Sequence, residues 1–332
     1  MNSSIFANTV AGTVGFTVQP PGYTIQSTGL APIITSDGYR IYRFHNNGSM
    51  NISNINAFGP ATLQIMCVGG GSYGRGEAVS GSSTSASVAG AGGGFVESTI
   101  LLTTDQTINI VIGAGGSGNI SSTTPYQNGE NSTVSFSINN ENNIIAYGGN
   151  SSTGNSGAPQ SNLSGFRSYP NYNSNTGLPF LQGGGAGAGG PGNPATFAGS
   201  ILGIGFAWRG GDGGPGKKPT IPGIATQYPN TYWAAGGGGA GYRVGDSIYP
   251  TGGHGGIGGG GAGYAGGFQG ELKGGEAYST TTVGSGEEPK RNASPNTGSG
   301  SGALSWYGGN YTGTTLLSGG SGIVMIAVKN IS

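Results

Sequence analysis

Long runs of glycine constrain this chain more than any other feature of its sequence. Glycine accounts for 75 of the 332 residues and is concentrated at residues 183–187, 210–214, 236–241 and 252–267. Because glycine loses more backbone entropy on folding than any other residue, such a composition ordinarily favours disorder. A folded structure therefore requires the glycine segments to pack closely against other backbone, where a larger side chain would not fit.

Within residues 252–259, glycine recurs with a period of three. Three residues per turn is the period of the polyproline II helix, which has no internal hydrogen bonds. The amide groups of such a helix must be satisfied by neighbouring segments. Two arrangements follow from this pattern. The glycine segments form either a polyglycine, polyproline-II-like bundle inserted into a β-sandwich or a set of long loops.

Several segments outside the glycine runs alternate between apolar and polar residues, as half-buried antiparallel strands do. The alternation is clear at residues 62–68, 107–112 and 133–138, and residues 143–147 are expected to return alongside the third segment. Residues 322–328 are apolar on both faces, which is typical of a central strand.

An Asn-Gly pair, Asn47 and Gly48, separates strand-like residues 39–45 from residues 50–55. Both residue types tolerate a positive φ, so this pair predicts a hairpin between the two strands.

The sequence predicts an all-β fold, an antiparallel, jelly-roll-like β-sandwich with long glycine-rich insertions, since no segment has helical periodicity with caps. We assign residues 1–35 to an N-terminal extended arm that offers a strand to the edge of a neighbouring subunit. Residues 36–332 are expected to form a single sandwich domain. Its glycine-rich insertion spans residues 149–321, and its closing strand spans residues 322–329.

Charged residues make up only 7% of the chain, and the formal net charge is zero. Binding to nucleic acid requires a basic patch that displaces phosphate counterions, so no nucleic-acid partner is expected. No apolar run approaches the roughly 18 residues of a membrane span, so no membrane insertion is expected. No N-terminal segment has the charged, then apolar, then small-residue pattern of a signal peptide, so ordinary secretion is not predicted.

Two glycine motifs resemble nucleotide-binding loops but lack the required context. Residues 113–118 match G-x-G-x-x-G after a predicted strand, yet no helix is predicted next and no acidic residue follows at the expected distance. Residues 211–218 nearly match a phosphate-binding loop, but Lys218 stands where the magnesium-binding hydroxyl belongs. We therefore expect no cofactor.

The chain offers few groups for catalysis or metal binding. Its only histidines are His45 and His254, and its single cysteine, Cys67, lies in an apolar run that predicts a buried thiol. Paired carboxylates could still meet in the fold, so a glycosidase-like site is left open. No other pattern indicates a catalytic or metal site, and we expect that the protein is not an enzyme.

Aromatic residues cluster in the glycine-rich part of the chain. An exposed aromatic ring beside polar groups suits carbohydrate or protein recognition. Alternatively, the rings stack on glycine backbone and form a small core or a subunit interface. The candidate receptor or interface residues are Trp208, Tyr232, Trp233, Tyr242, Tyr264, Phe268, Trp306 and Tyr307.

A recurring order of apolar strand and glycine run extends along most of the chain. The segments that carry it are residues 63–71, 90–96, 108–116, 146–149 and 318–326. Together they resemble a glycine-rich domain family of virion proteins from large DNA viruses and of phage tail-fibre and adhesin proteins. The resemblance covers residues 60–330 and leaves the first 35 residues outside. It implies a structural or adhesive role on a particle surface and supplies no catalytic residues.

Three functional hypotheses follow. The first is a virion structural protein: a capsid-associated, spike or fibre subunit with an assembly and host-attachment role. It would be assembled in the host cytoplasm, lie at the virion surface, and contact further copies of itself and other virion proteins. The second is a tail-fibre tip adhesin that binds a host surface glycan or receptor. The third is a non-viral extracellular filament or matrix protein with an open head-to-tail interface.

Overall fold

The computed structural model describes residues 5–10, 13–18, 22–74, 76–79, 89–119, 127–138, 143–150, 183–201, 205–244, 252–265, 273–274, 292–307 and 316–329. Among these residues, neither of the two short helices is long enough to span a membrane. The elements are β1 (Ile5–Val10), β2 (Thr13–Val18), β3 (Thr24–Ser27), β4 (Leu30–Ile34), β5 (Tyr39–Phe44), β6 (Gly48–Ser53), α1 (Ile55–Phe58), β7 (Ala61–Val68), β8 (Gly76–Val79), β9 (Phe95–Leu102), β10 (Gln106–Val111), β11 (Ser117–Asn119), β12 (Ser132–Phe136), β13 (Ile144–Ala146), β14 (Thr196–Ile201), β15 (Gly205–Arg209), α2 (Pro222–Gln227), β16 (Tyr242–Val244), β17 (Tyr264–Ala265), β18 (Lys273–Gly274), β19 (Leu304–Tyr307), β20 (Leu316–Ser318) and β21 (Ile323–Lys329).

Two five-stranded antiparallel sheets form a sandwich, which confirms the predicted fold class. Sheet 1 has the order β13-β12-β10-β6-β3, and sheet 2 has the order β4-β5-β21-β7-β9. Consecutive strands cross between the sheets repeatedly, from β3 to β4, from β5 to β6 and from β9 to β10. Other neighbours in the chain pair within one sheet, as β4 does with β5 and β12 with β13.

The main core lies between the two sheets. Sheet 1 contributes Ile52, Ile108 and Val134, and sheet 2 contributes Ile65 and Val324, all of them fully buried. These residues come from the alternating segments, so the period of two correctly identifies which side chains face inward. The alternation expected for residues 133–138 ends early, because Ile138 lies beyond β12 and is 61% exposed.

The predicted hairpin around Asn47 and Gly48 is wrong. β5 belongs to sheet 2 and β6 to sheet 1, so the chain crosses between the sheets at this turn. Phe44 and Met50, on either side of the turn, are both buried in the shared core. Asn47 holds the crossing in place, because its Oδ1 accepts a hydrogen bond from the N–H of Ile112 at 2.8 Å.

The N-terminal arm assigned to residues 1–35 contains strands of the sandwich itself. β3 is the edge strand of sheet 1, and β4 is the edge strand of sheet 2. The hydroxyl of Tyr23 donates a hydrogen bond to the carbonyl of Pro60 at 2.8 Å, which ties the start of β3 to the sandwich. Before that point, β1 and β2 pair with each other as a separate two-stranded sheet.

β21 is the central strand of sheet 2, as its apolar character on both faces predicts. One face contributes to the main core, and the other carries Ile323 and Met325 under a second cluster. The second cluster also contains Ile224 of α2 and Trp233, so residues 217–234 cover the outer face of sheet 2. Both faces of the strand are therefore shielded from water.

The glycine segments form a bundle whose hydrogen bonds repeat every three residues. The N–H of Gly236 donates to Gly214, that of Gly237 to Gly90, and that of Gly238 to Gly261. The N–H of Gly239 then returns to the segment of Gly214, where it donates to Gly211. Successive amides thus point to three different neighbours, as expected for extended helices with three residues per turn and no internal hydrogen bonds.

The bundle is larger than the predicted insertion at residues 149–321. It recruits glycine segments that flank the sandwich strands, including residues 69–74, whose amides donate in turn to the segments at 91–94, 130 and 320. We call the whole assembly the glycine bundle. Its segments are residues 69–74, 89–94, 113–116, 127–131, 147–150, 183–193, 210–216, 234–241, 252–256, 260–263, 298–303 and 319–322.

Candidate functional site

The glycine bundle has one end joined to the sandwich and one end away from it. β7 runs directly into residues 69–74, which lead to β8. Residues 298–303 run parallel to them, because Gly71 lies against Ser299 and β8 pairs in parallel with β19. β8 and β19 therefore lie at the end opposite to the sandwich, which we call the far end.

Two small sheets occupy the far end. One has the order β14-β15-β16, and the other has the order β18-β17-β19-β8. β15 leads into residues 210–216, and β16 follows residues 234–241, so both strands continue glycine segments. At about 3.1 Å per residue, the segment 234–241 extends the molecule by about 25 Å.

In the first of these sheets, the register brings three aromatic positions into one row. Trp208 of β15 lies opposite Tyr242 of β16 on one side and opposite Phe197 of β14 on the other. Directly opposite positions in antiparallel strands share a face of the sheet. Phe197 was not among the predicted candidates, because nothing in the sequence predicts β14 as a strand.

The second far-end sheet gathers further candidates. Tyr264 begins β17, and Trp306 and Tyr307 end the adjacent strand β19. Trp306 lies opposite Ala78 of β8. Aromatic residues that are widely separated in the sequence thus come together at one end of the molecule. Phe268 lies outside the described residues.

Tyr232 and Trp233 lie at the sandwich end, apart from the other candidates. Trp233 is only 3% exposed, and its ring packs edge-to-face against Tyr228 with centroids 5.6 Å apart. Its ring therefore packs in the second cluster and does not face solvent. For Trp233, the structure agrees with the alternative hypothesis, in which the aromatic rings form a small core. Tyr232 is half-buried, with the Nζ of Lys218 lying 4.8 Å from the centre of its ring.

Two polar side chains hold residues 217–234 on sheet 2, and the sequence did not identify them. Gln64 is 7% exposed, and its Oε1 accepts a hydrogen bond from the N–H of Gly223 at 2.7 Å. Glu97 accepts hydrogen bonds from the N–H and the hydroxyl of Thr220, both at 2.6 Å. Their partners lie 159 and 123 residues away along the chain, so no local pattern reveals these contacts.

A family model described as "Glycine-rich domain" matches residues 51–329. The match begins within β6 and ends with the last residue of β21, so it includes the glycine bundle and most of the sandwich. The chain belongs to the glycine-rich domain family. A comparison with curated proteins gave no match. The β1–β2 hairpin and the edge strands β3 and β4 precede the matched part of this glycine-rich domain.

In the glycine-rich domain, both motifs that resemble nucleotide-binding loops are parts of the bundle. A Cβ at Gly113 would lie 2.1 Å from the carbonyl oxygen of Glu130. In the second motif, a Cβ at Gly211 would lie 1.9 Å from the carbonyl oxygen of Asn193. Close backbone packing alone therefore accounts for glycine at these positions.

The ionisable groups of the described residues offer little for metal binding or catalysis. Within the described part of the chain, no group of three or more His, Cys, Asp or Glu residues could hold a metal ion. Cys67 is fully buried, and this burial raises the pKa of its thiol to about 12, so the thiol stays protonated and unreactive at neutral pH. Burial, with a smaller effect of nearby Arg43, lowers the pKa of His45. Arg209 and Asp212 form an ion pair at 2.5 Å.

An exposed apolar area lies on the outer face of sheet 1 and just beyond the end of β13. Val111, Ile145 and Tyr147 are 44%, 42% and 48% exposed. Val111 and Ile145 both lie opposite Thr133, from the strands on its two sides. Val111 and Ile145 belong to the sandwich, and Tyr147 directly follows β13, at the sandwich end of the bundle. Its distance from the far end makes Tyr147 a suitable reference residue for binding experiments.

Proposed function

We propose that this protein is a non-enzymatic structural protein of a viral particle, a spike or fibre subunit that serves assembly and host attachment. The sandwich end faces the particle, and the far end of the bundle presents the recognition surface. The observation that carries the proposal is the convergence of Trp208, Tyr242, Tyr264, Trp306 and Tyr307 in the two far-end sheets.

The construction of the bundle supports this role. Its amides bond laterally to neighbouring segments, so the far-end strands are held by a hydrogen-bonded backbone and not by loops alone. A surface organised before binding loses less conformational entropy when a ligand arrives. Tyr and Trp provide large, rigid contact area at a low cost in conformational entropy. The ligand class that suits such a surface is a host glycan or a receptor protein.

Resemblance to virion and tail-fibre proteins supports a location at the virion surface after assembly in the host cytoplasm. The partners in this proposal are further copies of the chain, other virion proteins and the host receptor. A tail-fibre tip adhesin is the second candidate, and the same far-end aromatic positions favour it. The two candidates differ in what the sandwich end joins, and both assign recognition to the far end.

The test is binding of the purified protein to host cells and to a glycan array. We expect Trp208→Ala, Tyr242→Ala and Trp306→Ala each to weaken binding about tenfold or more, as removal of a central aromatic anchor does. Tyr147→Ala is the matched control, because it removes an exposed aromatic side chain next to the sandwich, away from the far end. Binding that survives all three far-end substitutions, or that fails only in Tyr147→Ala, would contradict the proposal.

Assembly is tested separately, by light scattering and negative-stain imaging of the purified chain. Closed trimers or pentamers are expected for a spike or fibre subunit. Filaments of unlimited length would instead support the extracellular matrix hypothesis, because an open head-to-tail interface does not close.

A further inference from the structure

β4 forms one edge of sheet 2 and carries a row of exposed apolar side chains. All five of its residues are apolar, and four of them, Leu30, Ala31, Pro32 and Ile34, are exposed. Leu30 is 44% exposed, and Ile34, at 69%, is more exposed than any other large apolar side chain among the described residues. A contiguous exposed apolar patch, unlike scattered single residues, is typical of an interaction site.

This edge is unsuited to pairing with a further β-strand. Pro32 has no backbone N–H to donate, and the register between β4 and β5 shifts between Leu30 and Ile33. Proline and an irregular register are two of the features by which natural edge strands avoid the addition of another strand. A partner that binds here therefore contacts side chains, and the residues beside β4 determine which chemistry it needs.

Two arginines of β5 lie directly beside the exposed apolar residues. In the register of the two strands, Arg43 is opposite Leu30, and Arg40 is opposite Ile34. Opposite positions share a face of the sheet, and the two arginines belong to different faces because they are three residues apart. Each face of the edge therefore combines one exposed apolar side chain with one half-buried arginine.

Neither arginine is paired with a carboxylate in the part of the chain that the structure describes. The Nε atoms of Arg40 and Arg43 are both buried without a hydrogen-bond partner, and the guanidinium of Arg40 interacts with the hydroxyl of Tyr42. The carboxylate of Asp37, in the turn after β4, instead accepts a hydrogen bond from the hydroxyl of Thr226 at 3.3 Å. Half-buried cations with an unpaired donor lower the stability of the fold, so packing does not account for arginine here.

We infer that the β4 edge binds a segment of another protein that presents an aspartate or glutamate between apolar side chains. The terminal Nη groups of Arg40 and Arg43 donate charge-assisted hydrogen bonds to the carboxylates, and the apolar side chains of the segment cover Leu30 and Ile34. Arginine beside apolar residues is a composition enriched at protein interfaces. Charge complementarity selects an acidic segment, because two unpaired cations repel a basic one. The edge belongs to the sandwich, so the inference does not depend on what the far end binds.

The first experiment titrates the full chain with a fluorescently labelled synthetic peptide of alternating leucine and glutamate and follows fluorescence anisotropy. We expect saturable binding that weakens as salt is added, because charged groups contribute to it. The same peptide with glutamine in place of glutamate should bind about tenfold more weakly or worse. Equal binding of the two peptides, or no binding of the glutamate peptide at millimolar concentration, would overturn the inference.

A pair of serine substitutions locates the binding surface. Ile34→Ser should weaken binding of the glutamate peptide several-fold. Leu101→Ser is the matched control, because Leu101 is 59% exposed on β9, the opposite edge of sheet 2, and lies opposite Thr62 with no arginine beside it. Its binding should equal that of the wild-type chain. Equal losses in the two variants would show that the peptide binds exposed apolar side chains without selecting the β4 edge.

Arg40→Met and Arg43→Met distinguish a binding role of the arginines from a structural one. Each variant should weaken binding of the glutamate peptide about tenfold or more, yet its midpoint of chemical denaturation should be unchanged or higher, because methionine removes an unpaired buried donor. A lower midpoint with unchanged peptide binding would overturn the inference.

Two further measurements on Ile34→Ser separate the β4 edge from other surfaces. Light scattering tests whether a second copy of the chain occupies the edge, and a wild-type multimer that Ile34→Ser dissociates would overturn the assignment to another protein. Binding of Ile34→Ser to host cells should equal that of the wild-type chain. Failure of the β4 edge to bind the peptide can thus be distinguished from failure of the proposed recognition function at the far end.

Discussion

At Gly237, the choice of residue is dictated by neighbouring backbone. Its N–H donates a hydrogen bond to the carbonyl of Gly90 at 2.8 Å, and a Cβ at this position would lie 1.9 Å from the carbonyl oxygen of Ser301. Gly190 belongs to the same bundle, yet its nearest neighbour would be a side-chain atom of Pro215 at 3.4 Å. The two glycines therefore differ in the cost of adding one methyl group.

We expect Gly237→Ala to lower the free energy of unfolding by about 3 kcal/mol, because a carbonyl in the bundle must move to make room. Gly190→Ala is the matched control and should change stability by less than about 1 kcal/mol. Chemical denaturation of both variants measures the difference. Similar midpoints for the two variants would show that close packing does not determine the requirement for glycine.

Cys67 predicts a specific dependence of stability on pH. The thiol has a pKa of about 12 in the folded protein and about 8.5 in an unfolded chain. Between these values the unfolded state has lost a proton that the folded state retains, so stability falls as pH rises. Above about pH 9, the free energy of unfolding should fall by about 1.4 kcal/mol for each further pH unit.

Cys67→Ala provides the reference for this prediction, since the variant lacks the thiol but retains every other titrating group. Unfolding free energies of both proteins are measured from pH 7 to pH 10. The gap between them should be constant below about pH 8 and should then change in favour of the variant. Parallel curves over the whole range would contradict the burial of an un-ionised thiol.

The segment of residues 217–234, which contains α2, depends on tertiary contacts more than on the helix propensity of its own residues. α2 comprises only Pro222–Gln227, and the residue that precedes it at the N-cap position, Ile221, makes no side-chain capping bond. Glu97 of β9 and Gln64 of β7 supply hydrogen bonds to this segment, and Ile224 and Trp233 bury apolar surface against sheet 2. The segment is therefore ordered by the sheet that it covers.

Glu97→Ala should loosen this covering segment while leaving the sandwich folded. Loss of the acceptor for Thr220 is expected to cost about 1–3 kcal/mol locally. Hydrogen exchange of residues 217–228 should accelerate, and exchange in β21 should not. Glu97→Gln keeps an acceptor oxygen and is expected to have a smaller effect. Unchanged exchange in Glu97→Ala would show that apolar packing alone holds the segment.

At the scale of the whole molecule, sandwich and bundle share their chain segments. β7, β10 and β13 each lead directly into a glycine segment, and glycine segments lead directly into β9, β12 and β21. The main-chain hydrogen bonds continue across this boundary, since Gly69 donates to Gly94 immediately after the pair Val68–Phe95. The sandwich and the bundle are therefore joined by several continuous segments of the chain and not by a single linker.

We expect the sandwich and the bundle to unfold as one cooperative unit. Native-state hydrogen exchange in increasing denaturant should give the same opening free energy for β21 and for residues 234–241. Gly237→Ala should lower both values together, although the substitution lies in the bundle. Separate opening free energies, with β21 unaffected by Gly237→Ala, would show that the bundle opens independently.

The sequence alone determined the local character of this protein. Period-two patterns identified β7, β10 and β12, and apolar residues on both faces identified β21 as a central strand. The period of three in residues 252–259 gave extended glycine helices as one of two arrangements, with long loops as the other. These features can be read locally, because the spacing of apolar residues within one segment indicates its secondary structure and the face that it buries. The sequence also showed which aromatic residues lie in the glycine-rich part of the chain.

Only the tertiary structure decided which segments are neighbours. In that structure, β5 and β6 belong to different sheets, and residues 69–74 are part of the bundle. Trp208 lies opposite Tyr242 at the far end, whereas Trp233 is buried at the sandwich end. The physical reason is that an extended glycine helix has no internal hydrogen bonds. Its partners are chosen by close backbone packing between segments far apart in the chain, and no local pattern of residues records that choice.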